Sequence, residues 1–398
     1  LKIVILTQYF YPETGAPQNR LLELSNTLIA KGWEVLVVTA MPNYPKGRIF
    51  DNYRGRIRSN EEIGKIKVER FWLYASNARK SIPRIISMLT ISFTSLFSFS
   101  SLKKFKPDFI FTESPPLTLA FSGYLLSKTC GAKFIMNVSD IWPLSAKELG
   151  SISDGKLYKA IESLEKFLYR KAYLCTGQSE EIISHMKKSG AENVYLFRNG
   201  VDTRRFESYP NRKDNNGGTL KIIYAGLLGV AQRVYDIVRN VNFSSLGAEL
   251  HIYGEGAERN DIEEFIKSSP GMGAFIHDSV SREDIPGLIT GFDCALIPLV
   301  SNIYGAVPSK IYESMAAGLP ILFSGSGEGA KIIRDSHTGL VSEPKNYEDL
   351  SRNISTLKES PHLREQMSDN CRKTASEKFD RNKLTAEFSE YLSTHIKK

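Results

Sequence analysis

A chain of 398 residues is long enough for two or three domains with substantial cores, and 41% hydrophobic with 24% charged residues excludes a disordered or low-complexity protein. Gly 29 and Pro 17 are too few for a collagen-like repeat. The excess of Lys+Arg 52 over Asp+Glu 44, a net +8, suits an anionic partner: a membrane surface, a nucleic acid or a phosphorylated ligand. Cys130, Cys175, Cys294 and Cys371 lie far apart and form neither a CxxC pair nor a disulfide framework, which points to a reducing, cytoplasmic setting and no zinc site.

The first apolar run, residues 3–6, lacks the length of a secretory signal and reads as a buried strand. A turn follows at Tyr11, Pro12 and Gly15, then a periodic helix over 18–31 and a β-branched strand over 34–39. Residues 109–112, 133–138 and 173–176 continue the strands. After the polar stretch 214–218 the same order returns: strand 220–224, a loop with Gly226 and Gly229, a helix over 233–240 and a strand over 249–253. Strands at 295–298 and 320–323 complete a second sheet, and residues 377–394 read as a terminal helix. Alternating strands and helices predict an α/β protein of two Rossmann-like domains facing across a cleft that holds the ligand. The divisions fall at 1–202, 203–375 and 376–398.

Residues 85–102 depart from this pattern. They carry no charge, include Phe93, Leu96, Phe97 and Phe99, and are bracketed by Arg79, Lys80 and Arg84 on one side and Lys103, Lys104 and Lys106 on the other. Basic flanks around an apolar helix suit docking on an anionic bilayer; a buried helix of the first domain fits equally well. The many Ser and Thr residues argue against a membrane span.

Gly15 stands alone after the first strand where a dinucleotide-binding loop would have three glycines, so a dehydrogenase loses its main support. Gly325, Gly327 and Gly329 match such a loop superficially, but Glu328 would oppose a pyrophosphate. Residues 307–320 say more. Pro308 suits the first turn of a helix and Gly318 its end. The free N–H groups at the helix start, with Ser309 and Lys310 there, make a phosphate site, and Glu313 one turn on can accept from both hydroxyls of a ribose.

These residues, Pro-Ser-Lys-Ile-Tyr-Glu-Ser-Met-Ala-Ala-Gly-Leu-Pro, preceded by Asn199-Gly200-Val201-Asp202 and the loop from Gly226 to Arg233, resemble the donor half of glycosyltransferase family 4. Gln8-Tyr9-Phe10-Tyr11-Pro12-Glu13, Gly32-Trp33-Glu34-Val35, Met41-Pro42-Asn43-Tyr44-Pro45 and Ser139-Asp140-Ile141-Trp142-Pro143 are similar to the branch with bacterial N-acetylfucosaminyl transferases of O-antigen and capsule synthesis. The resemblance implies the GT-B fold, a nucleotide-sugar donor on the C-terminal domain, an acceptor on the N-terminal domain, retention of configuration, and a last helix that crosses back onto the first domain. Two positions depart from it: Gly305 stands where the family has Glu, and Leu227 where it has Arg.

Breaking the bond to a nucleoside diphosphate develops negative charge on the leaving phosphate. The sequence contains no Asp-x-Asp to hold a metal there, so Arg233, Lys310 and amides near Gly226 and Gly229 are expected to carry that charge. Gly15 and Ala16 let the backbone approach the donor, and Asn199 joins the donor side. Asp140 after strand 133–138 is expected to orient or deprotonate an acceptor hydroxyl, with Glu113, Ser114 and Ser139 on the same side and Trp142 stacking on a sugar. The expected protein is a retaining, metal-independent glycosyltransferase without cofactor. It would move a HexNAc or 6-deoxy-HexNAc from a UDP-sugar to a saccharide on a polyprenyl diphosphate, at the inner face of the plasma membrane and with no nucleic acid. A UDP-N-acetylglucosamine 2-epimerase of the same plan and a non-catalytic binder of sugar or anionic lipid are the rival expectations.

Overall fold

A computed structural model describes residues 1–13, 15–76, 81–148, 150, 152–209, 218–229, 231–281, 283–299 and 303–396. Arg79 and Lys80, and residues 214–217 of the polar stretch, lie outside the described residues. The chain forms two units, Leu1–Asn199 with Asn382–Lys398, and Gly200–Arg381.

The first unit runs β1 (Lys2–Leu6), α1 (Ala16–Ala30), β2 (Glu34–Ala40), β3 (Arg58–Ile63), β4 (Ile66–Phe71), α2 (Ser81–Thr94), α3 (Phe99–Phe105), β5 (Phe109–Ser114), α4 (Leu117–Cys130), β6 (Lys133–Val138), α5 (Leu144–Glu148), α6 (Lys156–Lys171), β7 (Leu174–Gly177), α7 (Glu180–Lys188) and β8 (Val194–Leu196). Its eight strands lie in the order β3-β4-β2-β1-β5-β6-β7-β8, parallel except for the antiparallel pair β3–β4. The central strands are covered on both faces, which is why β1 and β2 read as unbroken apolar runs. Sequence patterning missed β3. Its Arg58, Glu61 and Glu62 conceal the strand because it is an edge, where charged side chains discourage pairing with other chains.

The second unit runs β9 (Leu220–Ala225), α8 (Val234–Asn240), β10 (Ala248–Tyr253), α9 (Arg259–Ser268), β11 (Ala274–His277), α10 (Ile285–Ile289), β12 (Cys294–Pro298), α11 (Ser309–Ala316), β13 (Ile321–Ser324), α12 (Gly327–Ser336), β14 (Gly339–Ser342), α13 (Tyr347–Glu359) and α14 (Pro361–Lys378). All six strands are parallel, in the order β11-β10-β9-β12-β13-β14.

The divisions fall after Asn199 and after Arg381 rather than at 202 and 375. The reason is packing: Val201 and Phe206 are buried in the second unit's core together with Phe379. Val201 also pairs with the returning chain, its N–H donating to the Phe379 carbonyl at 2.9 Å and its carbonyl accepting from the Arg381 N–H at 2.9 Å. This pairing breaks the expected terminal helix into α14 and α15 (Arg381–Ile396). From Asn382 onward α15 belongs to the first unit, where buried Phe388 stacks on Phe197 with centroids 4.5 Å apart and meets Phe111 edge-on at 6.0 Å.

The apolar segment gives each of its two readings one face. Ser87, Ile91, Ser95 and Leu102 are buried, whereas Ile82, Leu89, Phe93 and Phe97 face solvent. The Ser and Thr residues tie the helix to its own unit: Ser92 Oγ donates to Thr118 Oγ1 at 2.8 Å, and Ser122 Oγ donates to the Ser92 carbonyl at 2.7 Å. By length and composition alone, the run Ile82–Phe105 is apolar enough to cross a membrane. A third of that stretch is buried in the protein.

Candidate functional site

In the second unit three loops converge at the C-terminal end of the sheet. The loop after β9 and the loop after β10 lie backbone to backbone: the Gly226 N–H donates to the Tyr253 carbonyl at 2.8 Å and the Leu228 N–H to the Glu255 carbonyl at 2.9 Å. Glycine is required on both sides. A Cβ at Gly254 would lie 1.9 Å from the Gly226 oxygen, and one at Gly256 2.2 Å from the Leu228 oxygen. The pair Gly254 and Gly256 escaped the sequence reading because it carries neither charge nor helix signal.

The third loop leads into α11, whose first turn carries Ser309 and Lys310. Lys310 lies against Gly226. A Cβ there would stand 2.3 Å from its Cε and 2.4 Å from its Nζ, and Gly226 has φ +149, which side chains rarely adopt. Among the described residues Lys310 makes no ion pair; its ammonium sits 5.2 Å from the centroid of the Tyr224 ring. Burial lowers its pKa and the carboxylate of Glu313 opposes that shift. Lys310 and Glu313 line a cavity of about 50 Å³ with Ile223, Ala225, Ile289 and Ser314. The sequence-derived association of Gly226, Lys310 and Glu313 therefore exists in space.

Arg233 is placed differently. It precedes α8 in the left-handed region, φ 44 and ψ 51, and its half-exposed guanidinium pairs with Asp236 at 3.2 Å. Gly229 accepts from the N–H of Arg233 at 3.1 Å and so closes the turn that presents it. Leu227 is exposed on the same loop, and Gly305 has φ +89 in the loop before α11.

In the first unit several of the expected site side chains join one largely buried polar network. Arg20, on α1, donates to both carboxylate oxygens of Glu113 at 2.6 and 2.8 Å and to Asn199 Oδ1 at 2.8 Å. Glu113 ends β5 and also accepts from Asn137 Nδ2 at 2.8 Å and from Ser139 Oγ. Gln178 donates to Ser139 Oγ at 2.6 Å and accepts from Asn199 Nδ2. Asn199 thus joins Arg20 and Gln178 in one network of the first unit. Sequence reading also missed Arg20, since one Arg in an amphipathic helix resembles a solvated charge.

Asp140 follows β6. Part of it faces solvent, yet surrounding protein withdraws its carboxyl from water enough to raise its pKa above the ordinary 3.8; Glu113 adds to the rise and Arg20 opposes it. Ser114 is buried and its hydroxyl finds no partner among the described residues. Trp142 is half-buried two residues beyond Asp140. Gly15 precedes α1, no side chain among the described residues caps the helix, and a Cβ at Gly15 would strike Gln18 Oε1 at 2.4 Å. Ala16 opens the helix; its N-terminal N–H groups are the anion-attracting feature of this loop.

Known proteins bear on both units. Residues 15–200 match the "Glycosyl transferase 4-like domain" family, and residues 207–374 match "Glycosyl transferases group 1". Escherichia coli WcaI, which carries the name of a colanic acid biosynthesis glycosyl transferase, is 25% identical over 333 residues, covering 80% of this chain and 82% of that protein. Sucrose-phosphate synthase from Thermosynechococcus elongatus superposes with a TM-score of 0.76 at 14% identity, over 100% of this chain and 99% of that one. Anabaena HepE in complex with UDP superposes with a TM-score of 0.71 at 16% identity, over 99% and 100%. Two consecutive matches thus account for both units in one chain, which belongs to the group 1, family 4-like glycosyltransferases and is an enzyme of the GT-B fold.

Proposed function

We propose that the enzyme moves an N-acetylated hexosamine or its 6-deoxy form from a UDP-sugar to a saccharide on a polyprenyl diphosphate. The transfer retains configuration, uses no divalent metal, and belongs to bacterial surface polysaccharide synthesis at the inner face of the plasma membrane. One observation carries the donor half: a half-buried ammonium that makes no ion pair among the described residues, Lys310, packed on Gly226 at the start of α11, with Glu313 one turn on. An anionic diphosphate at that place keeps Lys310 charged, and Lys310, the α11 N-terminus and the nearby amides are fixed in advance of the charge that develops on the leaving group. Glu313 accepts from the ribose hydroxyls. Gly15 approaches the donor from α1, and Asp140 orients the acceptor hydroxyl or takes its proton.

The name of WcaI supports surface polysaccharide synthesis, and the HepE complex supports UDP. The sequence motifs shared with N-acetylfucosaminyl transferases support the amino sugar. The solvent-facing apolar side of α2, with Lys103 and Lys104 in the last turn of α3, supports peripheral contact with an anionic membrane.

The test is a panel of UDP- and GDP-sugars incubated with a lipid-linked saccharide extract, with and without EDTA, reading nucleotide release and product mass. Release of UDP that needs the extract and survives EDTA is the expected result. Acceptor-free conversion of the donor into another nucleotide sugar would identify an epimerase. Equal release by wild type and Glu313→Ala would overturn the donor site.

A further inference from the structure

Three aromatic loops and the apolar helix gather on one side of the first unit. β4, β2 and β1 are neighbours in the sheet and all parallel, and the segment after each carries exposed rings: Trp72 and Tyr74 after β4, Tyr44 after β2, Tyr11 after β1. Parallel sheets present their ligand-binding loops at that end.

Buried polar groups hold these loops from behind. Glu13, 1% exposed, accepts the backbone N–H groups of Phe10 at 3.0 Å, Asn43 at 2.7 Å and Tyr44 at 2.8 Å, which fastens the loops after β1 and β2 together. Arg70, fully buried, donates to the carbonyls of Ala40 and Tyr11. The third loop hangs on α2: Thr94 Oγ1 donates to the Trp72 carbonyl at 2.8 Å, and Thr90 Oγ1 accepts from the Tyr74 N–H at 3.0 Å. Burying charge is costly. Here it yields loops of fixed shape whose rings point outward, the preorganisation a binding surface needs.

The helix that fixes the third loop exposes an apolar stripe, Ile82, Ile85, Ile86, Leu89 and Phe93, at the spacing of one helical face. Near its start is exposed Arg84; one turn on, Ser87 Oγ accepts from Gln8 Nε2 at 3.5 Å, and the next residue, Tyr9, packs against Tyr44 with centroids 5.7 Å apart. Rings, a cation and an apolar stripe are thus joined through hydrogen-bonded segments of one unit.

We propose that these elements form a single acceptor track for a saccharide carried on a polyprenyl diphosphate. The rings of Tyr44, Trp72 and Tyr74 hold the sugar, Arg84 meets the diphosphate, and the α2 stripe takes the first isoprene units. The chemistry of the ligand matches that of the surface part by part: sugars present apolar faces to aromatic rings, diphosphate seeks Arg, and an isoprenoid chain is aliphatic. This track deepens, and rests on, the lipid-linked acceptor proposed above.

The test has two arms. Flotation compares phosphatidylcholine vesicles doped with a polyprenyl diphosphate with vesicles matched in charge by phosphatidylglycerol. The wild type should favour the diphosphate vesicles by about tenfold. Arg84→Gln should abolish that preference, and Leu89→Ser with Phe93→Ser should weaken binding to both. In the second arm Trp72→Ala should leave UDP binding by calorimetry intact and raise KM for the lipid-linked extract roughly tenfold, the scale for truncating an aromatic anchor. Equal binding to the two vesicles, or an unchanged KM in Trp72→Ala, overturns the track while leaving transfer itself standing. Absence of transfer to any acceptor overturns both.

Discussion

In the first unit Arg20 is buried with its charge paired: Glu113, Asn199 and Ser139 accept from its two terminal nitrogens, its Nε finds no partner among the described residues, and Glu113 also accepts from Asn137. In the second, Lys310 is half-buried with a ring and a glycine for neighbours and makes no ion pair among the described residues. Burial without a partner costs more than burial with one. A paired buried charge speaks of shape held in place, and a cation without an ion pair among the described residues is where the proposed donor diphosphate would bind.

Removing a member of the paired network should hurt folding most. Glu113→Ala leaves Arg20 charged and buried, so stability should fall by about 3 to 5 kcal/mol, seen as a lower denaturation midpoint. A midpoint within error of wild type would mean that the network is not formed in solution.

Removing the Lys310 cation should do the reverse. Lys310→Ala should lower kcat by roughly 10² to 10³, as loss of one preorganised donor to a developing anion does, with little change in the melting temperature. Desolvation already lowers its pKa, so folding gives up a disfavoured charge in the variant. A large loss of stability with near-normal kcat would assign Lys310 to structure.

The next effect is set by pH. Burial holds the Glu13 carboxyl at about 7 against an ordinary 4.5. Its folded pKa is the higher one, so the protonated acid is the form that folding favours. That stability is present below pH 4.5 and is lost as pH rises through 7, about 3 kcal/mol in all. Glu13→Gln should remove this slope from a series of denaturation midpoints. Parallel curves for the two proteins would contradict it.

The contrast between the units also marks what sequence could reveal. The core strands were legible because a parallel strand covered on both faces is an unbroken apolar run, and the α11 segment was legible because Lys310 and Glu313 lie on one helix with Pro308 and Gly318 at its ends. Arg20 was not. Its partners Glu113 and Asn199 are far away in the chain, and only the strand order β1-β5-β6-β7-β8 brings them to one place. The break between α14 and α15 was hidden for the same reason, since Val201 makes it from across the chain. Charged β3 failed differently: edges are selected to look unlike strands.

The smallest expected effect concerns Arg233, which belongs to neither pattern. It is half-exposed and tied to Asp236 at 3.2 Å, an arrangement whose strength is typically about 0.2 to 1 kcal/mol. If Arg233 clamps the donor diphosphate, that tie competes with the ligand. Asp236→Asn should then tighten UDP binding by up to roughly fivefold in calorimetry, and the gain should vanish when Arg233→Ala is added. The same change removes a negative charge from the first turn of α8, at a cost of about 0.3 to 1 kcal/mol in stability, so the two effects have opposite signs and separate readouts. Unchanged or weaker UDP binding in Asp236→Asn would leave Lys310 and the α11 N-terminus as the sole clamp, and the loop after β9 would matter for its backbone alone.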